Sequence, residues 1–577
     1  MWESFAENPR LAKPRDTLHF ACIHFRGREQ MSERRVFVAI LGSAVLALSA
    51  LPGFAADEPK PAETAKASGP NRIFQPSEVS STGTVTIGGK PVSYQAVAGT
   101  LVIHGPGWDD VAWREQAAAP NPDKDKEGLP PETSMFYTAY FRQDNAKKGG
   151  ASPRPLMFIY NGGPGSATLW LHMGAFGPKR VVVREDGHTP PAPYPVVNNA
   201  YSLLDVSDLV FIDAPGAGFS RIAGKDKEKA FWGVDADSHA FTRFIQQFLN
   251  KYNRWNSPKY LFGESYGTTR SAVLANELAS TASIDLNGVI LLSTILNFDL
   301  SVDSPGFNPG VDTAYVTALP TMAATAWYHK RLPGTRPAEL EPFLREVEKF
   351  AVTEYASALY QGARLDAASR QKIAEKLSGY LGVPADYLLK SDLRISGGQF
   401  AQQVQLPGEL TTGRIDTRFS GPSLDLLSKE AQYDPFISSV GSAYVAAWND
   451  YSRSTLKFPA ADGFKIFAPV FPAWDMAHQA PGMPMPFTGQ TTNVMLDLAT
   501  VMKQNPNLKV LNTGGYYDLA TPYFEGVYEM EHLPLPDNLR ANIEYKYFPS
   551  GHMVYLNEPA LAGLHDTVAD FVRRTSR

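Results

Sequence analysis

Short apolar runs alternate with amphipathic segments along the chain, and this pattern predicts strands joined by helices. Strand-like runs occupy residues 155–160, 208–213 and 260–262. Residues 235–252 repeat apolar side chains at helical spacing, and 288–296 reads as a further strand. The alternation favours a mostly parallel central sheet with helices on both faces.

A different pattern comes before this block. Residues 83–143 alternate apolar and polar positions, with a Gly-Gly turn at Gly88–Gly89, which is typical of antiparallel strands. Strand-like runs return at 508–518 and 543–548, so the same sheet is expected to continue there. The fold class that follows is α/β.

The stretch between the two strand blocks carries helical periodicity, for example at Phe343 and Val347. Its position predicts an insertion rather than more of the sheet. We expect a mainly helical cap over 301–480, which divides the α/β core into a first part at 79–300 and a second part at 481–577.

The N-terminal part has the pattern of an export signal. Two arginines precede an apolar run at 36–51, which Pro52 and small residues close. We predict a non-native upstream extension at 1–30, a signal peptide at 31–56 and a disordered leader at 57–78, with the protein periplasmic or secreted. A membrane anchor is the alternative, but the run is short for a span, and no stable span is expected after cleavage.

The charge, the cysteine count and the absence of certain motifs argue against several classes of function for this chain. A net charge of −5 over 577 residues gives no support to nucleic-acid binding. The single cysteine, Cys22, precedes the predicted start at Met31, so the exported chain is expected to lack disulfides and thiolate metal sites. Neither a His-Glu-x-x-His cluster nor a phosphate loop occurs, so no metal and no cofactor are expected.

The strongest chemical signal is the segment Gly263-Glu-Ser265-Tyr-Gly267. It follows the strand-like residues 260–262 and precedes 268–278, whose composition suits a helix. A serine between two glycines at such a junction fits a nucleophile elbow, in which a sharp turn exposes the hydroxyl at the end of a sheet.

A serine nucleophile needs a base and an orienting acid, which are expected on loops after late strands. Asp518 ends a glycine-bearing turn after one such strand, and His552 follows the last strand. We predict Asp518 as the acid, in preference to Asp497 and Asp537, and His552 as the base. Other histidines read as surface or packing residues: His172, His188, His239, His329, His478, His532 and His565.

The tetrahedral intermediate of acyl transfer also needs two hydrogen-bond donors aimed at its oxyanion. One is normally the amide after the nucleophile, here that of Tyr266. The glycine-rich loop at 160–166 is expected to supply the other, because adjacent glycines let an N–H approach a substrate with no Cβ in the way.

Five motifs in this order resemble those of the serine carboxypeptidase family of α/β-hydrolases, in a bacterial exported form. They are NGGPGSATLWLHMGAFGP at 161–178, VFIDAPGAGFS at 210–220, GESYG at 263–267, YYDLATP at 516–522 and GHMVYLNEP at 551–559. The resemblance implies the α/β-hydrolase fold and an enzyme that removes C-terminal residues from peptides or proteins through an acyl-enzyme.

The resemblance assigns catalytic roles residue by residue. It makes Ser265 the nucleophile, Asp518 the orienting acid and His552 the base. It assigns the oxyanion hole to the amides of Gly163 and Tyr266.

The resemblance also implies a site for the substrate's terminal carboxylate, formed by Asn161, the Gly162 amide and Glu264. A carboxylate pairs with Glu264 only when the two share a proton, so binding is expected to weaken as Glu264 ionises. Two positions depart from the family pattern. Ser166 stands where a Cys is usual in the family. Ala175 stands where a second Glu is usual, and strict preference for a free C-terminus depends on that Glu.

Two other functions fit the same residues. The triad could act on esters, amides or acyl transfer, because the cap and the walls of the site set the substrate. A catalytically silent binding protein on this scaffold is a further reading, which the intact Ser-Asp-His set and the oxyanion glycines disfavour.

Overall fold

The computed structural model describes residues 73–108, 129–143, 154–303, 305–459, 463–483, 485 and 491–576. The segments predicted at 1–30 and 31–56 lie outside these residues, as does most of the leader predicted at 57–78. No helix within the described ranges combines the length and the apolar character needed to cross a membrane.

The strands of the described residues are β1 (Glu78–Ile87), β2 (Lys90–His104), β3 (Glu132–Arg142), β4 (Leu156–Tyr160), β5 (Lys179–Val181), β6 (Val196–Asn198), β7 (Asp208–Ile212), β8 (Arg221–Ala223), β9 (Lys259–Glu264), β10 (Gly288–Leu292), β11 (Leu410–Thr412), β12 (Ser420–Pro422), β13 (Lys509–Gly515) and β14 (Ile543–Phe548). The α-helices are α1 (Lys227–Phe231), α2 (Val234–Tyr252), α3 (Tyr266–Ala282), α4 (Thr313–Tyr328), α5 (Leu340–Phe350), α6 (Ala356–Gln361), α7 (Ala367–Leu381), α8 (Ala385–Lys390), α9 (Gly397–Gln403), α10 (Pro435–Ser454), α11 (Met495–Gln504), α12 (Tyr523–Glu531), α13 (Asp537–Arg540) and α14 (Glu558–Thr575).

One large sheet organises these elements, in the strand order β1-β2-β3-β7-β4-β9-β10-β13-β14, with β8 pairing β3. The pairs from β1 to β7 are antiparallel, and every pair from β7 to β14 is parallel. The predicted fold class, an α/β-hydrolase fold with a mostly parallel central sheet, is therefore confirmed.

Helices cover both faces of the parallel part. Every residue of β4, β7, β9 and β10 is buried, which explains why these strands read as unbroken apolar runs. Successive side chains of β4 enter different clusters: Met157 and Ile159 lie in one, and Leu156 and Phe158 in the other. The strand predicted at 288–296 ends at Leu292, because Ser293 takes a left-handed conformation (φ 58°).

The interval 301–480 contains the helices α4 to α10 and the two-stranded β11–β12 sheet. Most of these helices share a third apolar cluster, which also holds Tyr517 and Leu519 on either side of Asp518. Two parts of the interval belong with the core instead: α10 adds Tyr444 to a core cluster, and a segment near 465–475 bridges core loops. The domain limits stay predictions.

Candidate active site

Ser265 lies in the turn between β9 and α3 and has backbone angles of φ 63° and ψ −132°. Such angles are rare for a residue with a side chain, and strain of this kind is typical of functional sites. Gly263 is required, because a Cβ there would lie 2.5 Å from the hydroxyl of Ser271. Gly267 is also closely packed, since a Cβ there would lie 3.1 Å from the carbonyl oxygen of Tyr160. The local structure is the strand–turn–helix of a nucleophile elbow.

Asp518 and His552 are hydrogen-bonded to each other, with 2.8 Å between Oδ2 and Nδ1. An ionised carboxylate only accepts hydrogen bonds, so Nδ1 carries the proton and Nε2 is left as the basic nitrogen. Oδ1 of Asp518 accepts from the amides of Ala520 (2.9 Å) and Thr521 (3.0 Å). The acid is completely buried, so its orientation is fixed on every side.

The pKa of His552 reflects opposing effects. Burial favours the neutral ring, but the charge of Asp518 and its hydrogen bond outweigh burial, and Glu264 adds to them, so the pKa lies above its usual value. Glu264, the residue directly before Ser265, is thus one of the charged groups that act on the imidazole. The carbonyl of His552 also accepts from the hydroxyl of Ser293 (2.8 Å), just beyond β10, the strand beside β9.

The predicted oxyanion loop packs directly against the elbow. A Cβ on Gly162 would lie 2.7 Å from both the Glu264 carbonyl and the Gly267 amide nitrogen, and still closer to the amide of Tyr266. Gly163 has a φ of 108°, which a side chain would strain. Tyr266 is the first residue of α3, so its N–H has no acceptor within the helix.

Arg270 supports this loop from behind, and no sequence motif pointed to this residue. Its guanidinium is fully buried, pairs with Asp237 (2.6 Å) and donates to the carbonyl of Asn161 (2.9 Å). The one sequence feature that could have revealed this role is the presence of a charged arginine among the apolar residues of α3. A buried charge of this kind is stable only when its partners are in place, so Arg270 ties α3 to the loop that precedes Gly162.

The predicted carboxylate-binding residues also lie together. The side chain of Asn161 accepts from the amide of Leu171 (3.2 Å) through Oδ1 and interacts with Glu264. Burial is the main cause that raises the pKa of Glu264, to about 7; nearby Asp518 raises it as well, while His552, Tyr555 and Asn161 act in the opposite direction. Glu264 is therefore protonated below about pH 7 and can then donate to a carboxylate.

A segment from the helical interval holds the acid and base loops together. The Leu519 amide donates to the Arg414 carbonyl (3.1 Å), and the His552 amide donates to the Ile415 carbonyl (2.8 Å). Next to them, Asp416 and Arg418 form a buried ion pair. No pattern near residue 414 pointed to this contact.

The competing candidates for the acid lie in other surroundings. Asp497 is buried but bonded to Nε2 of His478 (2.7 Å), and Asp537 is exposed. His478, which was predicted to be a surface or packing residue, is buried between Asp497 and Asp235. Burial lowers its pKa, but hydrogen bonds to the two carboxylates raise the pKa to about 9.

Over the described ranges, no three His, Cys, Asp or Glu side chains converge to hold a metal ion.

Fold and site together define an α/β-hydrolase. Residues 128–306 match the family described as serine carboxypeptidase. Two similar proteins are serine carboxypeptidase-like 51 of Arabidopsis thaliana (27% identical over 172 residues, 28% of this chain and 34% of that protein) and pheromone-processing carboxypeptidase KEX1 of Yarrowia lipolytica (28% over 141 residues, 24% and 21%). A similar solved structure is KEX1(delta)p, a prohormone-processing carboxypeptidase of Saccharomyces cerevisiae (16% identical, covering 82% of this chain and 91% of that one, TM-score 0.45).

The family match and the curated relatives confirm the resemblance to serine carboxypeptidases. The chain spans about a third or less of the length of the curated relatives. The family match contains the predicted oxyanion loop and the turn that holds Ser265, whereas Asp518 and His552 lie outside it.

Proposed function

We propose that this protein is a serine carboxypeptidase that hydrolyses C-terminal peptide bonds, with Ser265, Asp518 and His552 as its triad. The observation that carries the proposal is the 2.8 Å hydrogen bond between Asp518 and His552, at the sheet end where the elbow holds Ser265. The family match over 128–306 supports the same class of hydrolase.

The first half-reaction forms an acyl-enzyme. The hydroxyl oxygen of Ser265 attacks the scissile carbonyl carbon while Nε2 of His552 takes the hydroxyl proton, and Asp518 stabilises the resulting imidazolium. The amides of Gly163 and Tyr266 donate to the oxyanion. When the C–N bond breaks, His552 returns the proton to the leaving amine, and the C-terminal amino acid departs.

The second half-reaction restores the enzyme. Water attacks the acyl carbon and gives one proton to Nε2 of His552. Collapse of the new tetrahedral intermediate breaks the bond to the oxygen of Ser265, which takes the proton back. The shortened peptide leaves with a new carboxylate.

Selection for a free C-terminus is assigned to Asn161, the Gly162 amide and Glu264. Glu264 donates to the substrate carboxylate while it is protonated, and the raised pKa extends that condition to about pH 7. Ala175, in the position where the family usually has a second Glu, favours one alternative: an esterase, amidase or acyltransferase with the same triad.

Export is proposed from the sequence of residues 31–56, which would bring the enzyme to the periplasm or the medium. Peptides and proteins with a free C-terminus are the substrates proposed.

A matched set of substrates tests the proposal: one peptide with a free C-terminus, the same peptide amidated, and a simple ester. Release of a single residue from the free form alone supports the carboxypeptidase. Equal cleavage of both peptides, or turnover of the ester alone, contradicts it and favours the alternative. Ser265→Ala should abolish turnover of every substrate that the wild type cleaves, and unchanged activity would exclude both functions.

A further inference from the structure

Two polar atoms beside the elbow are buried without a well-formed hydrogen bond. Among the residues that the structure describes, neither Oε2 of Glu264 nor the hydroxyl of Tyr555 makes a hydrogen bond of ordinary geometry, although the two side chains are close enough to shift each other's pKa. Both side chains are about 97% buried. Buried polar atoms are nearly always paired in folded proteins, so two neighbouring exceptions point to a ligand that both would contact.

A second tyrosine, Tyr444, lies in the same cluster. Tyr444 and Tyr555 pack on one glycine: a Cβ on Gly174 would lie 2.7 Å from the ring of Tyr555 and closer still to the hydroxyl of Tyr444. Gly174 directly precedes Ala175, so the two rings lie beside the position where the family usually has its second Glu. Burial, and then the charge of Glu264, raises the pKa of both phenols, so both remain hydrogen-bond donors when Glu264 ionises.

We propose that the Tyr555 hydroxyl, assisted by that of Tyr444, binds the terminal carboxylate of a peptide together with Glu264 and Asn161. The proposal rests on the proposed carboxypeptidase function and names the groups that compensate for Ala175. A carboxylate accepts hydrogen bonds without a shared proton when the donors are neutral hydroxyls. Tyr555 would thereby preserve selection for a free C-terminus with only one acidic residue in the site.

Elements remote in the sequence build this cluster. Tyr444 comes from α10 in the middle of that helix, and Tyr555 comes from the 3-10 turn Val554–Leu556 just after His552. Asn161 directly follows β4, and Glu264 ends the neighbouring strand β9. The carboxylate site therefore adjoins both the base and the nucleophile, as cleavage of the last peptide bond requires.

Tyr555→Phe tests the proposal because it removes the hydroxyl and retains the ring. With the free-acid peptide, KM should rise about tenfold or more, which is the scale of a lost hydrogen bond to a charged group, while kcat changes less than twofold. Turnover of the ester should stay unchanged. Tyr444→Phe should shift KM in the same direction. Tyr260→Phe is the matched control: its hydroxyl bonds to Thr575 and Ser576 (2.7 and 2.9 Å), and its discrimination should equal that of the wild type.

A Tyr555→Phe enzyme that discriminates as well as the wild type overturns this proposal and leaves the carboxypeptidase function intact. A wild-type enzyme that cleaves free and amidated peptides equally overturns both. A readout that leaves both tyrosines unchanged is the near-ultraviolet tyrosine absorbance of the Ser265→Ala protein on addition of an N-acetyl amino acid. A change with the free acid and none with its amide supports the site, and an unchanged spectrum with both overturns it.

Discussion

Replacement of Asp518 by Asn probes the triad with the least change in shape. Oδ1 accepts from the amides of Ala520 and Thr521, so the oxygen of the new side chain is held in that position. The amide NH₂ must then occupy the position of Oδ2, 2.8 Å from Nδ1 of His552. An NH₂ group donates, so Nδ1 becomes the acceptor and the proton moves to Nε2.

The consequence is an imidazole in the wrong tautomer, with no lone pair for the proton of Ser265. We expect kcat to fall by about 10⁴-fold, equivalent to about 5 kcal/mol of barrier. The variant also loses the charge that raises the pKa of His552, so the acid limb of the pH profile, where protonation of His552 removes the base, should move to lower pH.

Steady-state turnover of the ester from pH 5 to 9 measures both effects, because the ester avoids the carboxylate site. Asp497→Asn is the matched control, since Asp497 is also buried and bonded to a histidine, His478 (2.7 Å). Its kcat should stay within a few-fold of the wild type. The reasoning is refuted if Asp518→Asn retains a tenth of wild-type kcat, or if Asp497→Asn shows the 10⁴-fold loss instead.

Three further predictions follow from the site and its surroundings. Gly162→Ala should lower kcat by about 10²–10³-fold, because the new methyl group would lie 2.7 Å from the amide nitrogen of Gly267 and force the oxyanion loop away. KM for a free-acid peptide should rise as pH increases through about 7, where Glu264 ionises, while KM for the ester stays level. Burial raises the pKa of both Glu525 and Glu529, and the pKa of Glu529 lies at about 8. Protonated Glu529 therefore contributes stability that is complete below about pH 4.5 and is lost as pH rises through about 8, where Glu529 ionises beside Glu525. Glu525→Gln should therefore stabilise the protein by about 2 kcal/mol at pH 8 and by less at pH 5, as measured by urea unfolding.

Each of these predictions has an outcome that contradicts it. For Gly162→Ala it is kcat within twofold of the wild type. For Glu264 it is a flat KM profile between pH 5 and 8 with the free-acid peptide. For the buried pair it is a Glu525→Gln protein less stable than the wild type at pH 8.

The sequence predicted the parallel part of the fold well, because strands buried on both faces must be apolar at nearly every position. β4, β7 and β9 accordingly match the apolar runs closely. Ser293 shows the limit of this rule: apolar residues continue beyond Leu292, yet the backbone turns there. Composition alone does not report where an apolar stretch changes direction.

Site residues carried by local motifs were also accessible from the sequence. The elbow around Ser265 needs glycines at fixed spacing, so its pattern is visible in five letters. The roles proposed for Tyr555 and Tyr444, and the position of Arg270 behind the loop, were not accessible, because they depend on packing between remote elements. The sequence around Tyr444 on α10 does not show whether this tyrosine only packs in the core or also lies near Glu264.

The central claim is that Ser265 is an activated nucleophile, and covalent labelling tests it most directly. The protein is treated with a fluorophosphonate, digested and analysed by mass spectrometry, and residual ester turnover is measured in parallel. We predict one adduct per molecule, on Ser265, with activity lost in proportion, and no adduct after His552→Ala. Full loss of activity with Ser265 unlabelled, or labelling of Ser265 with activity retained, would contradict the account.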